Sequence, residues 1–558
     1  MRPLQEKPYQ CQKGGADTDY RLIAGILGRL ISFASLTLLI PLAYALYDGS
    51  TAYDGSKFIG AAWTASGLPA FATTLAVSLA LGIVLIATGA YRRGVLPIGE
   101  GSMLLALFFS YMTVFGMLPY YSSGRFDLLD AFLESVSGFT TTGMTILPGD
   151  VPPAFVLWRS LTQWLGGLFI LVAFFTVLFP LGGAFGLVLP EGSRAPVSRR
   201  LSSISRLALR VALTYLMVTA VLMAVFRLAG ADFFDAVNLA FAVISSGGTH
   251  NTLEPGLMND GIMSAALMVG MLFSSGNFLL YHEALRRRNP INLFRYAEHR
   301  IFLITILTAG LLMGVSLWAH GVYGFLHSLH RGLFEAVSFA TTTGISTAEY
   351  LPWPPFARLC MLLLAFTGGC IGSASGGLKV ARMVIMLKSL WGEIKKILHP
   401  QAFIPVYLGR RPVDSVIVNR VMGFFFLYIS VLFSGVFLIS LVSDLSLMES
   451  LMLGVSCLSS IASAAKLAGA SAVFSGYPPL LKLVCALLML IGRLEVFAFF
   501  LLFGAVKHSG DREKGRGSSR GGEGKTRTRG PWEIRDASAF SDSQSGSFLG
   551  RLLGGGRK

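Results

Sequence analysis

Two clusters of hydroxyl residues ending in glycine, Thr140-Thr141-Thr142-Gly143 and Thr341-Thr342-Thr343-Gly344, recur about two hundred residues apart. Such a turn presents carbonyl oxygens on a backbone that glycine bends at little cost. Rings of carbonyls replace the hydration shell of a potassium ion, so the chemistry on offer is the capture of a bare monovalent cation. A closed ring needs several copies, and spacing finds them. Asp130 to Gly143, Asp235 to Gly248, Arg331 to Gly344 and Glu449 to Ala462 are each separated by 13 positions. The candidate ring therefore draws on Thr141, Thr142 and Gly143; Ser246, Gly247 and Gly248; Thr342, Thr343 and Gly344; and Ser460, Ile461 and Ala462.

A short amphipathic run precedes each copy, and a long apolar segment flanks it on either side. A half-helix ending at each turn aims its negative C-terminal end at the ring and favours a cation there. Irregular backbone at membrane depth is tolerated only where it is buried in protein or lines a cavity. One copy reads as an ordinary loop between helices; four in register do not. The chain of 558 residues is 53% hydrophobic and only 14% charged, with a mean hydropathy of +0.63, far from the roughly 25% charged residues of soluble domains. Apolar stretches near 21–47, 67–91, 97–122, 154–182, 207–229, 261–285, 300–320, 354–390, 415–442 and 478–506 are each long enough to cross a bilayer. The fold class is an all-α polytopic membrane protein: four helix–pore-loop–helix repeats around a central pore, plus two N-terminal transmembrane helices. The parts are a cytoplasmic N-terminal segment at 1–20, a two-helix unit at 21–93, and pore repeats at 94–190, 200–290, 296–398 and 412–506. A basic tail at 507–558, rich in Gly, Ser, Arg and Lys, reads as disordered.

The net charge of +16 collects in alternate loops, which is the positive-inside pattern and not a nucleic-acid footprint. Arg194, Arg199, Arg200, Arg206, Arg286, Arg287, Arg288, Lys388, Lys395, Lys396, Arg410 and Arg411 mark the cytoplasmic side, together with both termini. Most acidic residues, from Asp127 and Asp130 to Asp444 and Glu449, fall on the opposite side. The five cysteines show neither a disulfide framework nor zinc spacing. No Walker lysine, metal-ligand cluster or catalytic triad spacing is present, which argues against an enzyme; no bound cofactor is expected. His320, His327 and His330 read as surface residues. Two further features interrupt apolar helices. Thr367 to Gly377 is so rich in small residues, with Gly368, Gly369, Gly372, Ser373, Gly376 and Gly377, that it cannot hold a packed helix well. Lys379 and Arg382 close it; Lys379 is counted with the gating residues, the alternative being that both simply face the cytoplasm. Arg493 sits inside the last apolar helix, where a charge costs about 2.5–3.5 kcal/mol unless it meets water or a partner. Glu495 is two positions away and does not share its helix face.

These residues resemble the Trk/Ktr/HKT superfamily of potassium transporters, and among them the Trk H-type bacterial membrane subunit. The resemblance is carried by Glu134 to Gly143, Trp158 to Gly167, Glu335 to Gly344, Gly368 to Lys379 and Gly492 to Glu495, in the family's order, from about residue 21 to 506. It implies K+ passing through a four-fold carbonyl filter in the bacterial inner membrane. It also implies a homodimer and a cytosolic nucleotide-binding regulatory ring of the Trk A type. The segment Gly368–Gly377 becomes an intramembrane loop obstructing the pore, and Arg493 an electrostatic barrier below the filter.

Three departures from the family pattern concern selectivity. The fourth segment has Ser459-Ser460-Ile461-Ala462-Ser463-Ala464 where the family usually shows Asn-Asn-x-Gly-Pro-Gly, followed by Lys466 near the expected outer mouth. If position 462 needs a left-handed backbone, alanine there costs roughly 1–2 kcal/mol. Na+ permeation follows, and Ala462→Gly is expected to restore K+ preference. Thr249 stands where the family often has phenylalanine, and Phe169 replaces a glycine. The competing readings are a non-conducting regulatory relative with a degenerate fourth segment, and a secondary transporter with broken helices.

Overall fold

The computed structural model describes residues 20–51, 67–90, 98–147, 151–174, 197–248, 261–346, 348–401, 404–409, 411–469, 474 and 476–494. All fall within the compact unit Met1–Phe503. The N-terminal segment 1–19, Arg194, Thr249, Glu495 and the basic tail at 507–558 lie outside the described residues.

Apart from a two-stranded hairpin, Tyr407–Leu408 against Arg411–Pro412, the regular structure described is helical. Among the described residues six helices are long and apolar enough to span a bilayer, or seven if a bent pair is taken as one span. Every apolar stretch of the sequence carries helix, but not always unbroken. The stretch at 354–390 is divided into Pro355–Thr367 and Val380–Leu398, and the last helix is described over Pro479–Arg493. Three second helices, Pro153–Ala173, Pro355–Thr367 and Pro479–Arg493, open on a Pro-Pro pair. The first proline holds the approaching chain extended, and the second occupies a first-turn position where a missing N–H leaves no bond unmade.

The four half-helices are Leu128–Phe139, Phe233–Ile244, Phe325–Ala340 and Leu447–Ser459. Their N-caps Asp127, Asp232 and Ser446 stand in one register, and the third helix starts a turn earlier, at Gly324. Ser446 and Glu449 form a reciprocal capping box. The third half-helix packs on Ala297–Ala319 through Gly332 against Gly310 and Gly314, a small-residue contact that lets two backbones approach where no hydrophobic drive exists in lipid.

Burial sorts the spans. Only 28% of the apolar window of Ser415–Val442 and of Leu68–Thr88 is buried, against 72% for Pro153–Ala173. The outer helices expose large apolar side chains such as Phe33, Ile83 and Phe437, an apolar surface suited to lipid and not to water.

Unit two departs from the single helix expected of it. A single helix is expected over 261–285, but the chain forms Gly261–Ser275 and Phe278–Arg287, bent by 101°. Asn277 starts the second piece, its Oδ1 accepting from the Leu279 N–H at 2.9 Å. The Ser274-Ser275-Gly276-Asn277 cluster was a legible breaker signal.

Candidate ion-conduction site

Each half-helix ends in the same way. The backbone N–H of Thr142, Gly247, Thr343 and Ile461 donates to the carbonyl of Ser137, Ala242, Ser338 and Ser456, at 2.8–3.1 Å. The residue just before, Thr141, Ser246, Thr342 or Ser460, has φ of 52, 55, 56 or 57°. A left-handed conformation is uncommon outside glycine and a true outlier for β-branched threonine. Four such residues at one register position mark backbone strain of the kind that clusters at functional sites.

The units meet in chain order around the turns. Units one and two touch where Gln163 and Gly167 press on Gly247 and Ser245. Units two and three meet at Gly248 (φ +65°), where a methyl group would lie 1.6 Å from the Thr343 carbonyl oxygen; no side chain fits there. Unit three meets four where the Ser463 hydroxyl donates to the Gly344 carbonyl. The ring closes where the Ala462 N–H donates to the Thr142 carbonyl at 2.9 Å. The turn residues 140–142, 245–246, 341–343 and 459–461 are all buried. Packing this many oxygens and no carboxylate at one centre creates a region of negative potential without a fixed charge.

Two carboxylates hold the turns from behind. Glu134 accepts from the Ile146 N–H at 2.8 Å and from Thr145, and lies 4.0 Å from Arg159. Glu335, in the same register of unit three, accepts from Ser346 at 2.5 Å and Tyr350 at 2.9 Å. Both glutamates belong to the recurring motif, yet the sequence reading assigned them no role. Their common position relative to the glycine was the available signal.

The segment 368–377 lies against three of the four turns. The Ser246 hydroxyl donates to Ala374 O at 3.0 Å, the Gly376 N–H donates to the Thr342 hydroxyl at 2.8 Å, and a methyl on Gly376 would sit 2.1 Å from Ser459 O. The Thr141 and Ser460 hydroxyls, also buried, have no hydrogen-bond partner among the described residues. The broken helix of unit two secures this segment. Cys370 and Ala374 donate to the Ser275 and Ser274 carbonyls, and Phe278 donates to Gly372 O. Each break thus satisfies the other's exposed backbone, the condition for irregular chain inside a bilayer. Glu298 adds a further anchor, accepting from the Ile371 N–H at 2.7 Å.

Arg493 is buried and donates from Nη1 to Ala374 O at 2.8 Å. Its Nε and Nη2 have no hydrogen-bond partner among the described residues, and no described carboxylate pairs with it. Lys379 and Arg382 do not simply face the cytoplasm: both are buried. The Lys379 ammonium donates to Ser373 and Ser375, and Arg382 stacks 4.2 Å over the Phe424 ring. Neither position could be read from sequence, because their partners lie in the turn and on another helix.

The strain expected at Ala462 is also absent. Gly143, Gly248 and Gly344 have positive φ, but Ala462 does not; it opens a 3-10 helix, Ala462–Ala468. The chain changes its path instead of forcing alanine into the left-handed region. Lys466 is exposed on that helix. Phe169 packs on Phe108 and Phe109, at centroid distances of 5.0 and 5.7 Å. His330 contacts Ser264 at 3.0 Å, and His320 and His327 are exposed.

Comparison with known proteins gives a consistent picture. The family model TrkH, described as cation transport protein, matches residues 67–514. The Trk system potassium uptake protein TrkH of Halomonas elongata is 31% identical over 499 residues, covering 87% of this chain and 98% of that protein. The protein of the same name from Escherichia coli K12 is 32% identical over 502 residues, with the same two shares. The crystal structure of the potassium transporter TrkH from Vibrio parahaemolyticus superposes with a TM-score of 0.74 at 27% identity, over 87% of this chain and 98% of that one. With a membrane-spanning helical fold, four turns closing one ring, and these matches over most of its length, the chain belongs to the TrkH family of cation transport proteins.

Proposed function

We propose that the chain takes up K+ through the ring of turns and does not fully exclude Na+. The observation that carries the reading is the recurrence of one strained turn at the same register in four units that touch in cyclic order. Carbonyls of residues 141–143, 246–248, 342–344 and 460–462 replace the ion's water. The half-helices bring their negative ends to the same centre. The segment 368–377, held by Glu298, Lys379 and the unit-two break, obstructs the path below and caps two of the four ring hydroxyls. Arg493 adds a fixed positive charge that repels a cation entering the obstructed region. Opening requires the segment to leave Ser246, Thr342 and Arg493 together.

The resemblance supports the rest of the assembly. The protein lies in the bacterial inner membrane with both termini cytoplasmic. It pairs as a homodimer, and a cytosolic nucleotide-binding ring of the Trk A type regulates the segment at 368–377. Rubidium uptake into a potassium-uptake-deficient cell tests the reading. Uptake above the empty-vector level is expected; none, from protein present in the membrane with its regulatory ring, identifies a non-conducting relative instead.

A further inference from the structure

The fourth turn differs from the others in what its neighbours do with carbonyl oxygens. In units one and three, the half-helix serines Ser137 and Ser338 donate to Met144 O and Ile345 O, at 2.5 and 2.7 Å, one residue beyond the turn glycine. Those bonds fall on carbonyls outside the ring. Unit two has Ala242 at this position and makes no such bond. In unit four the equivalent Ser456 directs its single proton inside the turn, to Ile461 O at 2.5 Å, with Ala462 O the more distant alternative acceptor at 3.3 Å. The 3-10 path begun at Ala462 then aims two donors at the neighbouring turns: Ala462 N–H at Thr142 O, 2.9 Å away, and the Ser463 hydroxyl at Gly344 O. Ser463 is 4% exposed and Ile461 fully buried, so the arrangement is packed in place.

The consequence falls on two levels of the ring. At the level of Thr142, Gly247, Thr343 and Ile461, unit four donates to Thr142 O and Ile461 O, and the Gln163 amide of unit one lies 3.5 Å from Gly247 O. At the level of Gly143, Gly248, Gly344 and Ala462, unit four donates to Gly344 O through Ser463. A carbonyl oxygen has two lone pairs; a donor on one of them turns the group toward itself and sets a positive hydrogen beside the ion. Discrimination between K+ and Na+ depends on the number and field strength of the coordinating carbonyls. Water filling the missing positions adapts to the smaller ion as easily as to the larger.

We propose that Ser456 and Ser463 are specificity-determining residues, and that unit four competes with the ion for Ile461 O, Gly344 O and Thr142 O. This rests on the transport reading above. It replaces the strain at Ala462 as the physical source of Na+ permeation, because that strain is not present.

The test measures K+ and Na+ permeability ratios from reversal potentials, with Ser463→Ala, Ser456→Ala and the double variant. Ser456→Ala copies the residue that unit two already carries at this register. Each freed carbonyl loses one competing hydrogen bond, so the K+-over-Na+ ratio should rise about three- to ten-fold, most in the double variant. Ser463→Thr keeps the hydroxyl and Ala462→Gly leaves the donors in place, so both should stay near wild type. If a variant folds but does not conduct, thermal unfolding of the purified protein in K+ against Na+ gives the same comparison, with K+ stabilising the variants more than wild type. Ratios and ion-dependent stabilities unchanged in both serine variants overturn the proposal. A wild type that neither takes up rubidium nor responds to K+ overturns the transport reading itself, which is a separate outcome.

Discussion

Replacing Arg493 by glutamine removes a charge while keeping a side chain able to donate to Ala374 O. Arg493 Nη1 and the Ser246 hydroxyl share that one acceptor, at 2.8 and 3.0 Å. A cation at the level of Ser246 would therefore sit within about 6 Å of the guanidinium, where unit charges at an effective dielectric of about 20 repel by roughly 3 kcal/mol. That is about a hundred-fold in occupancy. If water fills the space and screens like bulk solvent, the figure falls to roughly 0.7 kcal/mol, about three-fold. Rubidium uptake per molecule in the membrane should thus rise by about three- to a hundred-fold in Arg493→Gln, and Arg493→Lys should stay close to wild type. Thermal stability in detergent should hold or improve, because a buried charge with two nitrogens unpartnered among the described residues is lost. Equal or lower uptake in Arg493→Gln, at equal abundance and unchanged melting temperature, would refute the barrier. A large drop in melting temperature would assign Arg493 to structure.

Glu298→Ala should loosen the segment at 368–377 by leaving the buried Ile371 N–H without its acceptor, a cost of about 1–3 kcal/mol, raising uptake about ten-fold; unchanged flux would release Glu298 from that role. Glu134→Ala leaves Arg159 buried without its carboxylate and the Ile146 N–H without its acceptor, at a cost of about 3–5 kcal/mol, read as a lowered melting temperature. Glu449 is held below the ordinary carboxylate range by its hydrogen bonds with the Ser446 side chain and backbone. A carboxylate depressed in the folded state stabilises it above the unfolded pKa of about 4.3 and stops doing so as pH falls through the folded value. Protection against hydrogen exchange at the start of Leu447–Ser459, measured relative to the intrinsic rate at each pH, should therefore fall on acidification below that range, and not in Glu449→Gln.

Some of this protein is written in local order along the chain. The helix–half-helix–turn–helix unit, its four copies and the register linking Asp130, Asp235, Arg331 and Glu449 to the turn ends depend on spacing and apolar periodicity. So does the interruption at 368–377, because a crowd of small residues weakens a helix wherever it lies. The break at Gly276 was equally local and could have been read from its serine, glycine and asparagine neighbours. What tertiary structure decided is where the polar groups find partners. Ser246 and Arg493 reach Ala374 across 128 and 119 residues, and Ser463 reaches Gly344 across 119. No periodicity encodes such pairs. They follow from four units being closed into one ring inside an apolar medium, where every exposed backbone group must find a protein partner or line a cavity. That requirement buried Lys379 and Arg382, which looked cytoplasmic. It also moved the consequence of Ala462 from strain in its own backbone to the hydrogen bonds its turn makes with its neighbours, because the chain had a helical path open to it and took the path of lower energy.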